Sequence, residues 1–537
     1  MSDSDNWNIA DTVEAFARAI PDATAVVQDE RRLTWREFDR RADGIAATLL
    51  EGGLVHQDRV AQYLYNGPEY LEAFVAATKA SLVPVNTNYR YADDELAHLW
   101  NDADAAAVVF HGSFTDTVAR VRERVATVRV WLWVDDGSGP CPTWAIPYET
   151  AAAAAPRAAS SARSGSDLVF IYTGGTTGLP KGVMWRQSSI VGPIAEAGRQ
   201  GPADIDSYVQ ARVARGPGDK LLPAPPLMHG TGLLAAVRGL VIGGTVVMLG
   251  SRRFDAIELW DVVEREQVQL LTIVGDAFAR PMLDALDAEP GRWDLGRLRS
   301  IMSAGAMFSE PVKRGLLGHV AGLKLLDQLG SSENGAGATS LSRAGELNET
   351  GAFRPQVGVR VIGDDGCDVE PGSGRVGVIA IPGGAEGYHK DPAKTAATFP
   401  LIEGARYTVA GDHATVEADG SIHFLGRGSV CINTGGEKVF PEEVEEALKS
   451  HSAVRDAIVV GLPDERFGEA ITAVVELIDQ GVEDAELIKY VKSRLARYKA
   501  PRKVVRVDSV GRAPNGKVDY PATRALAVER LGGVTTG

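Results

Sequence analysis

Short runs of apolar, largely β-branched residues, each bounded by Gly, Pro or charge, recur along this chain and constrain its fold more than any other feature. Residues 168–172, 245–249, 270–274 and 376–381 are such runs. They predict strands buried on both faces. Between several of them lie longer stretches with helical spacing, at 257–267 and 281–286, so strands and helices interleave in an α/β fold. Past Arg427 the texture changes: Gly435 and Gly436 lead to Pro441 and a cluster of acids that opens a helix, followed by apolar runs at 457–460 and 473–477. This predicts two domains, 1–427 and 428–537. The alanine run 151–155 and the small polar residues after it predict a surface connection before residue 168.

A chain of 537 residues is long enough for more than one core, and its net charge of −15 argues against nucleic acid as a partner, since phosphate backbones are bound through clustered Lys and Arg. No apolar run reaches the ~20 residues of a membrane span. The first residues lack the basic and apolar stretches of a secretory signal. The three cysteines, Cys141, Cys367 and Cys431, are too dispersed for a zinc or redox motif, so a cytoplasmic location is expected.

The segment Tyr172-Thr173-Gly174-Gly175-Thr176-Thr177-Gly178-Leu179-Pro180-Lys181-Gly182 follows a predicted strand. Its glycines let backbone amides approach an anion, its threonines add hydroxyl donors, and Lys181 adds charge, so it reads as a phosphate-binding loop. A Walker loop would place Gly-Lys-Ser/Thr at a helix start, whereas Lys181 lies between Pro180 and Gly182. Ordinary P-loop hydrolases are thereby disfavoured.

Here the sequence resembles the superfamily of adenylate-forming enzymes, which includes acyl-CoA synthetases, peptide-synthetase adenylation domains and beetle luciferases. Further similar motifs follow in order, from Leu33-Thr34-Trp35-Arg36 to Lys517, over nearly the whole chain. The resemblance implies a large N-terminal domain of layered αβ sheets with a small β-barrel-like subdomain, and a small mobile α+β C-terminal domain. It implies that Gln328, Gly330, Ser331 and Ser332 contact nucleotide and that Glu333 helps hold the Mg²⁺ of MgATP. Mg²⁺ prefers oxygen ligands and few protein carboxylates, which suits a single acid.

By the same resemblance Asp412 binds ribose, Arg427 lies between the domains, and Lys517 is a mobile catalytic lysine. His229 stands at the gate of the acid pocket, with Gly232, Gly275, Ala304, Gly305 and Ala306 as its walls. Gly435, Gly436 and Lys438 serve the half-reaction with coenzyme A. Leu329 replaces the family's usual adenine-facing aromatic, and Ser429 its usual hinge Asp or Lys. Asn433 stands where luciferases carry a lysine, which disfavours light emission. Gly230 replaces the Asp with which peptide synthetases hold an amino group, which disfavours amino acids.

Closest in motif are actinobacterial fatty-acid and sterol side-chain acyl-CoA synthetases, notably through Val183-Met184-Trp185-Arg186 and the Gly426-Arg427-Gly428-Ser429-Val430 stretch. The resemblance therefore implies an acyl-CoA synthetase that uses ATP and coenzyme A on a large apolar acid. The small residues 232, 235, 236, 275, 277, 304 and 306 suggest a roomy pocket, with segment 201–220 as its lid or rim. A ligase for aryl or medium-chain acids and a non-catalytic nucleotide or acyl sensor are the alternatives, and a homodimer is left open.

Overall fold

The computed structural model describes residues 7–157, 162–175, 178–195, 204–216, 218–434, 437–464, 467–513 and 516–532. Among these the strands form three sheets. The first has eight strands, with a parallel centre built from Val83–Asn86, Arg59–Tyr63, Ala105–His111 and Val130–Val134. At one side Leu168–Gly175 joins it in parallel and turns back as Gly178–Arg186. The second has fifteen strands, and its parallel half runs Thr24–Gln28, Thr245–Met248, Lys220–Pro223, Leu270–Ile273, Ser300–Ala304, Lys324–Ser331. The apolar runs at 168–172, 245–249, 270–274 and 376–381 all fall on strands, because burial on both faces leaves no polar alternation to preserve.

Helices fill the layers. Ile9–Ala19, Trp35–Glu51, Pro68–Lys79 and Gly230–Val241 share one core with facing residues of both sheets, such as Val60 and Val169 from the first and Val26 and Val246 from the second. Helices Ala256–Glu266, Gly275–Ala288 and Glu310–His319 cover the outer face of the second sheet, and Asp93–Asp102 with Thr115–Val121 that of the first. The 256–266 helix begins at Asp255, whose carboxylate accepts from the amides of Ile257 and Glu258, and ends where Gln267 turns left-handed at φ 55°. Beyond residue 331 the second sheet becomes antiparallel and encloses its own core of Phe353, Val361, Ile379, Ile381 and Ala414. That is the smaller β-rich part expected beside the layered sheets.

The third sheet gathers Ile432–Thr434, Glu437–Val439, Val454–Asp464, Gly468–Leu477 and Lys503–Val507, with helices Pro441–Lys449 and Asp484–Arg494 on one face and Tyr520–Arg530 on the other. It forms the smaller C-terminal domain. No helix of the described residues is long and apolar enough to cross a membrane.

The alanine run departs from expectation at its first two residues, whereas Ala153 to Arg157 are largely exposed and outside any helix, as a surface connection would be. Ala151 and Ala152 end the helix Tyr148–Ala152 and are buried, not part of a surface connection. Alanine is small and favours helix, so this helix lies directly on Trp35–Glu51. A side chain at Gly44 there would come 2.6 Å from the Ala152 carbonyl oxygen. The expected helix at 281–286 is the second half of Gly275–Ala288, with Pro281 inside it.

Candidate active site

Parallel sheets place their ligand sites at the carboxyl ends of their strands. Here those ends meet the smaller domain across a cleft of about 2640 Å³. Thr173, His229, Gln328, Gly330, Ser331, Ser332, Glu333, Asp412, Arg427 and Lys517, drawn from segments far apart in the chain, all line it. Thr176, Thr177, Gly435 and Gly436 lie outside the described residues, as do the side-chain surroundings of Gly174, Gly175, Gly178 and Ser429.

Glu333 sits on a tight turn after the strand Lys324–Ser331. The Ser331 amide donates to Asn334 Oδ1 at 2.8 Å, the Glu333 amide to Ser331 Oγ at 3.2 Å, and Trp185 Nε1 to the Ser332 carbonyl at 2.8 Å. The hydroxyl of Tyr388 donates to Glu333 Oε1 at 2.7 Å, which orients the carboxylate, and burial followed by that carboxylate raises the pKa of the phenol. Gly330 is required by packing: a Cβ there would fall 1.6 Å from the Gly335 carbonyl oxygen. Among the described residues no group of three His, Cys, Asp or Glu could hold a metal ion. What Glu333 offers the cleft is one oriented carboxylate, an oxygen donor of the kind that Mg²⁺ accepts.

Lys181 contacts Asp391 Oδ2 at 2.5 Å, and Asp391 also caps the helix Pro392–Thr398. On that helix Lys394 lines the cleft, its ammonium 4.3 Å from the centre of the Tyr388 ring. Burial and then the charge of Lys181 lower the Lys394 pKa, while Glu333 and Asp391 pull it up. Sequence reading missed this lysine, because nothing around it in the chain marks it out. It also missed the role of Asn86, whose amide donates to the carbonyls of Tyr172 at 3.0 Å and Met228 at 2.6 Å and accepts from the Tyr172 amide at 2.6 Å. Asn86 thus ties the phosphate-loop strand to the segment that carries His229.

Asp412 is buried and pairs with Arg427 across the strands Asp412–Val416 and Ile422–Arg427, Nε to Oδ1 at 3.0 Å. Burial raises the Asp412 pKa and Arg427 opposes the shift. Behind them stands Glu442, at the start of helix Pro441–Lys449, whose Oε1 accepts from the Arg427 amide at 3.4 Å. Gly426, at φ 140°, has no side chain where this carboxyl lies, since a Cβ would be 2.2 Å from Glu442 Oε2. Burial first, then the neighbouring Glu445, push Glu442 up to about 8.

Lys517 is open to the water of the cleft but walled by protein on most sides. That partial desolvation and Arg427 lower its pKa, against an upward pull from Glu333. Its turn is closed by the Gly516 amide donating to the Ala513 carbonyl at 2.7 Å. Gly516, at φ 72°, rests on the larger domain, where a Cβ would lie 3.0 Å from Val274 Cγ1 and 3.1 Å from Ala277 Cβ. His229 stands at the first position before the helix Gly230–Val241, with no capping hydrogen bond from its side chain, and burial followed by Lys517 drives its pKa down to about 3, so the imidazole is neutral at physiological pH.

The expected acid-pocket walls divide. Ala304, Gly305 and Ala306 line the cleft, with Gly305 at φ 90°. Gly232 and Gly275 do not. A Cβ on Gly232 would lie 2.6 Å from the carbonyl oxygens of Pro225 and Pro226, and one on Gly275, at φ 50°, 2.2 Å from that of Met307. Both are glycine so that backbone can approach backbone, not to leave room for a ligand. Ala236 is core, and Ala277 faces Gly516. Lys438 lies exposed on Glu437–Val439 and is not among the described cleft-lining residues. Within 201–220 the helix Ile205–Val213 packs through Tyr208 on Trp7 and Phe16, and none of the described residues of that segment lines the cleft.

A layered α/β domain joined to a small α+β domain, with a large cleft between them, is the architecture of the adenylate-forming enzymes. The chain belongs to the AMP-binding enzyme family, which matches residues 13–389, with the AMP-binding enzyme C-terminal domain matching 443–517. It is 40% identical over 526 residues to the 3-oxocholest-4-en-26-oate–CoA ligase of Rhodococcus rhodochrous, covering 96% of this chain and 94% of that protein. It is 39% identical to the medium-chain acyl-CoA ligase Mig of Mycobacterium avium, covering 98% of this chain and 100% of that protein. Its fold matches that of the anthranilate CoA ligase AuaEII in complex with anthranoyl-AMP, with a TM-score of 0.84 at 21% identity and 98% of both chains covered.

Proposed function

We propose that this enzyme is an AMP-forming acyl-CoA ligase for a large apolar carboxylic acid, a long-chain fatty acid or a sterol side-chain acid. The observation that carries the reading is the meeting of Glu333, the Asp412–Arg427 pair and Lys517 in one cleft that Ala304, Gly305 and Ala306 also line. In the first half-reaction a carboxylate oxygen of the acid bonds to the α-phosphorus of ATP as the bridging oxygen leaves with pyrophosphate. In the second, the sulfur of coenzyme A bonds to the acyl carbon, AMP departs with the electron pair of the broken C–O bond, and the thiol proton passes to water.

Each side chain has a task in that scheme. The acid needs no base, because a carboxylic acid of pKa ~4–5 is already ionised. Lys517 offsets the negative charge of two anions brought together. Thr173, Lys181 and Lys394 hold the outer phosphates, Asp412 takes the ribose hydroxyls, and neutral His229 closes the acid side without attracting the carboxylate elsewhere. Glu333 would hold the Mg²⁺ of MgATP, which would supply charge neutralisation at the phosphates when bound. The domains divide at 427/428, and rotation of 428–537 withdraws Lys517 and brings Gly435, Gly436 and Lys438 to the adenylate. The supply of ATP and CoA assigns the reaction to the cytoplasm.

The Rhodococcus relative acts on a steroid acid, which supports a wide pocket, and each buried methylene of a longer acid would add up to ~0.8 kcal/mol. A medium-chain acid is the second reading, favoured by the Mycobacterium avium relative. Specificity constants for acetate, octanoate, palmitate, benzoate and a sterol side-chain acid test this. Palmitate or the sterol acid should lead, and a lead by acetate or benzoate overturns the large-acid reading.

A further inference from the structure

The helix Gly230–Val241 forms one wall of the acid end and turns a single stripe toward the cleft: Thr231, Leu234, Ala235 and Arg238. These are positions i, i+3, i+4 and i+7, one face of an α-helix. Its opposite face, with Leu233, Ala236 and Leu240, is core. The stripe is small or apolar until its last member. Arg238 is seven residues beyond Thr231, roughly 10 Å along the axis at ~1.5 Å per residue.

Among the other guanidiniums of the cleft, Arg314, Arg427, Arg512 and Arg524 each have a carboxylate partner, Glu310, Asp412, Asp456 and Glu469 respectively, and Arg494 donates to the Tyr490 hydroxyl at 2.9 Å. Arg238 has no side-chain hydrogen bond or ion pair among the described residues. Across the groove, Gly192 and Pro193 of the helix Gln187–Ala195 line the cleft and bring no charge to answer it.

We propose that Arg238 is a specificity-determining residue that receives an oxygen acceptor, such as a ketone, at the end of the substrate remote from the carboxyl being activated. The proposal rests on the acyl-CoA ligase reading and names what that reading leaves open, the far end of the acid. A hydrocarbon tail that reached Arg238 would strip water from a guanidinium and return nothing. An oxygen there accepts a charge-assisted hydrogen bond, about twice as strong as a neutral one. The enzyme would then select acids that are apolar in the middle and polar at both ends.

The test compares a matched pair of sterol side-chain acids, one with a ring ketone at the far end and one without, by kcat/KM for pyrophosphate release with the full-length enzyme and with R238M and R238K. The wild type should favour the keto acid about tenfold, R238M should bring the ratio close to one, and R238K should keep part of the preference. Equal constants for the two acids in the wild type, or an unchanged ratio in R238M, overturn the proposal while leaving the ligase reading intact. If the wild type forms adenylate from neither acid but does so from palmitate or octanoate, the sterol substrate and this inference fall together.

Discussion

The two ends of the cleft are built by different rules. At the nucleotide end almost every side chain is fixed by a partner: Tyr388 on Glu333, Arg427 on Asp412, Asp391 on Lys181, Asn86 between Tyr172 and Met228. At the proposed acid end Ala304, Gly305, Ala306, Leu234 and Ala235 offer surface and no hydrogen-bonding side chain, and His229, Thr231 and Arg238 bring polar groups beside them. A charge that must meet a phosphate has to be held in place beforehand, because reorganisation during the reaction costs rate. An apolar pocket needs only shape. Substitutions at the first end should therefore damage chemistry with every acid, and those at the second should change which acid is used.

The largest effect is expected from Lys517→Ala, which should slow adenylate formation by roughly 10²–10³-fold, the range for loss of one charge-stabilising donor. Thioester formation from supplied acyl-AMP should continue, and equal loss in both half-reactions would remove the lysine from the first step alone. Glu333→Gln should come next, raising the magnesium concentration needed for half-maximal pyrophosphate release. An unchanged magnesium titration would mean that this carboxylate does not face the metal.

The acid end allows a sharper contrast, between glycines that pack and residues that line. Gly232→Ala forces a methyl against two carbonyl oxygens and should destabilise the fold by about 1–3 kcal/mol in urea denaturation, whatever the substrate. Ala304→Leu, directed into the cleft, should spare stability and lower kcat/KM for large acids relative to octanoate. The two effects exchanged would reverse the assignment of these positions.

The smallest expected effect is a pH dependence at the domain boundary. Glu442 is raised above its ordinary value of 4.5 to about 8, so the arrangement in which it is buried beside Glu445, Asp412 and Arg427 favours the protonated carboxyl. Its contribution to that arrangement is full below about 4.5 and lost as pH rises through about 8. Adenylation by the wild type should thus decline above pH 8 more steeply than in Glu442→Gln, and superimposable profiles would show that the group does not titrate there.

The same contrast governs what could be read from the sequence. Buried strands such as Leu270–Ile273 announce themselves because both faces are apolar. Small residues are ambiguous. Gly232 and Gly275 looked like pocket space as much as Gly305 did, and only the positions of the Pro225, Pro226 and Met307 carbonyls distinguish them. The alanines at 151–152 misled for a related reason, since low complexity on the page became close helix packing in space. Asn86 and Tyr388 act on Met228 and Glu333, 142 and 55 residues away, and no local pattern encodes such meetings.

The central claim is that this cleft makes an acyl adenylate before a thioester, and a single-turnover experiment tests it most directly. Enzyme in excess over radiolabelled ATP, with Mg²⁺ and a sterol side-chain acid or palmitate but no coenzyme A, should yield bound acyl-AMP and one pyrophosphate per ATP consumed. Coenzyme A added afterwards should convert that adenylate to acyl-CoA and AMP. Release of ADP and phosphate, or thioester formed with no adenylate ever trapped, would contradict the account.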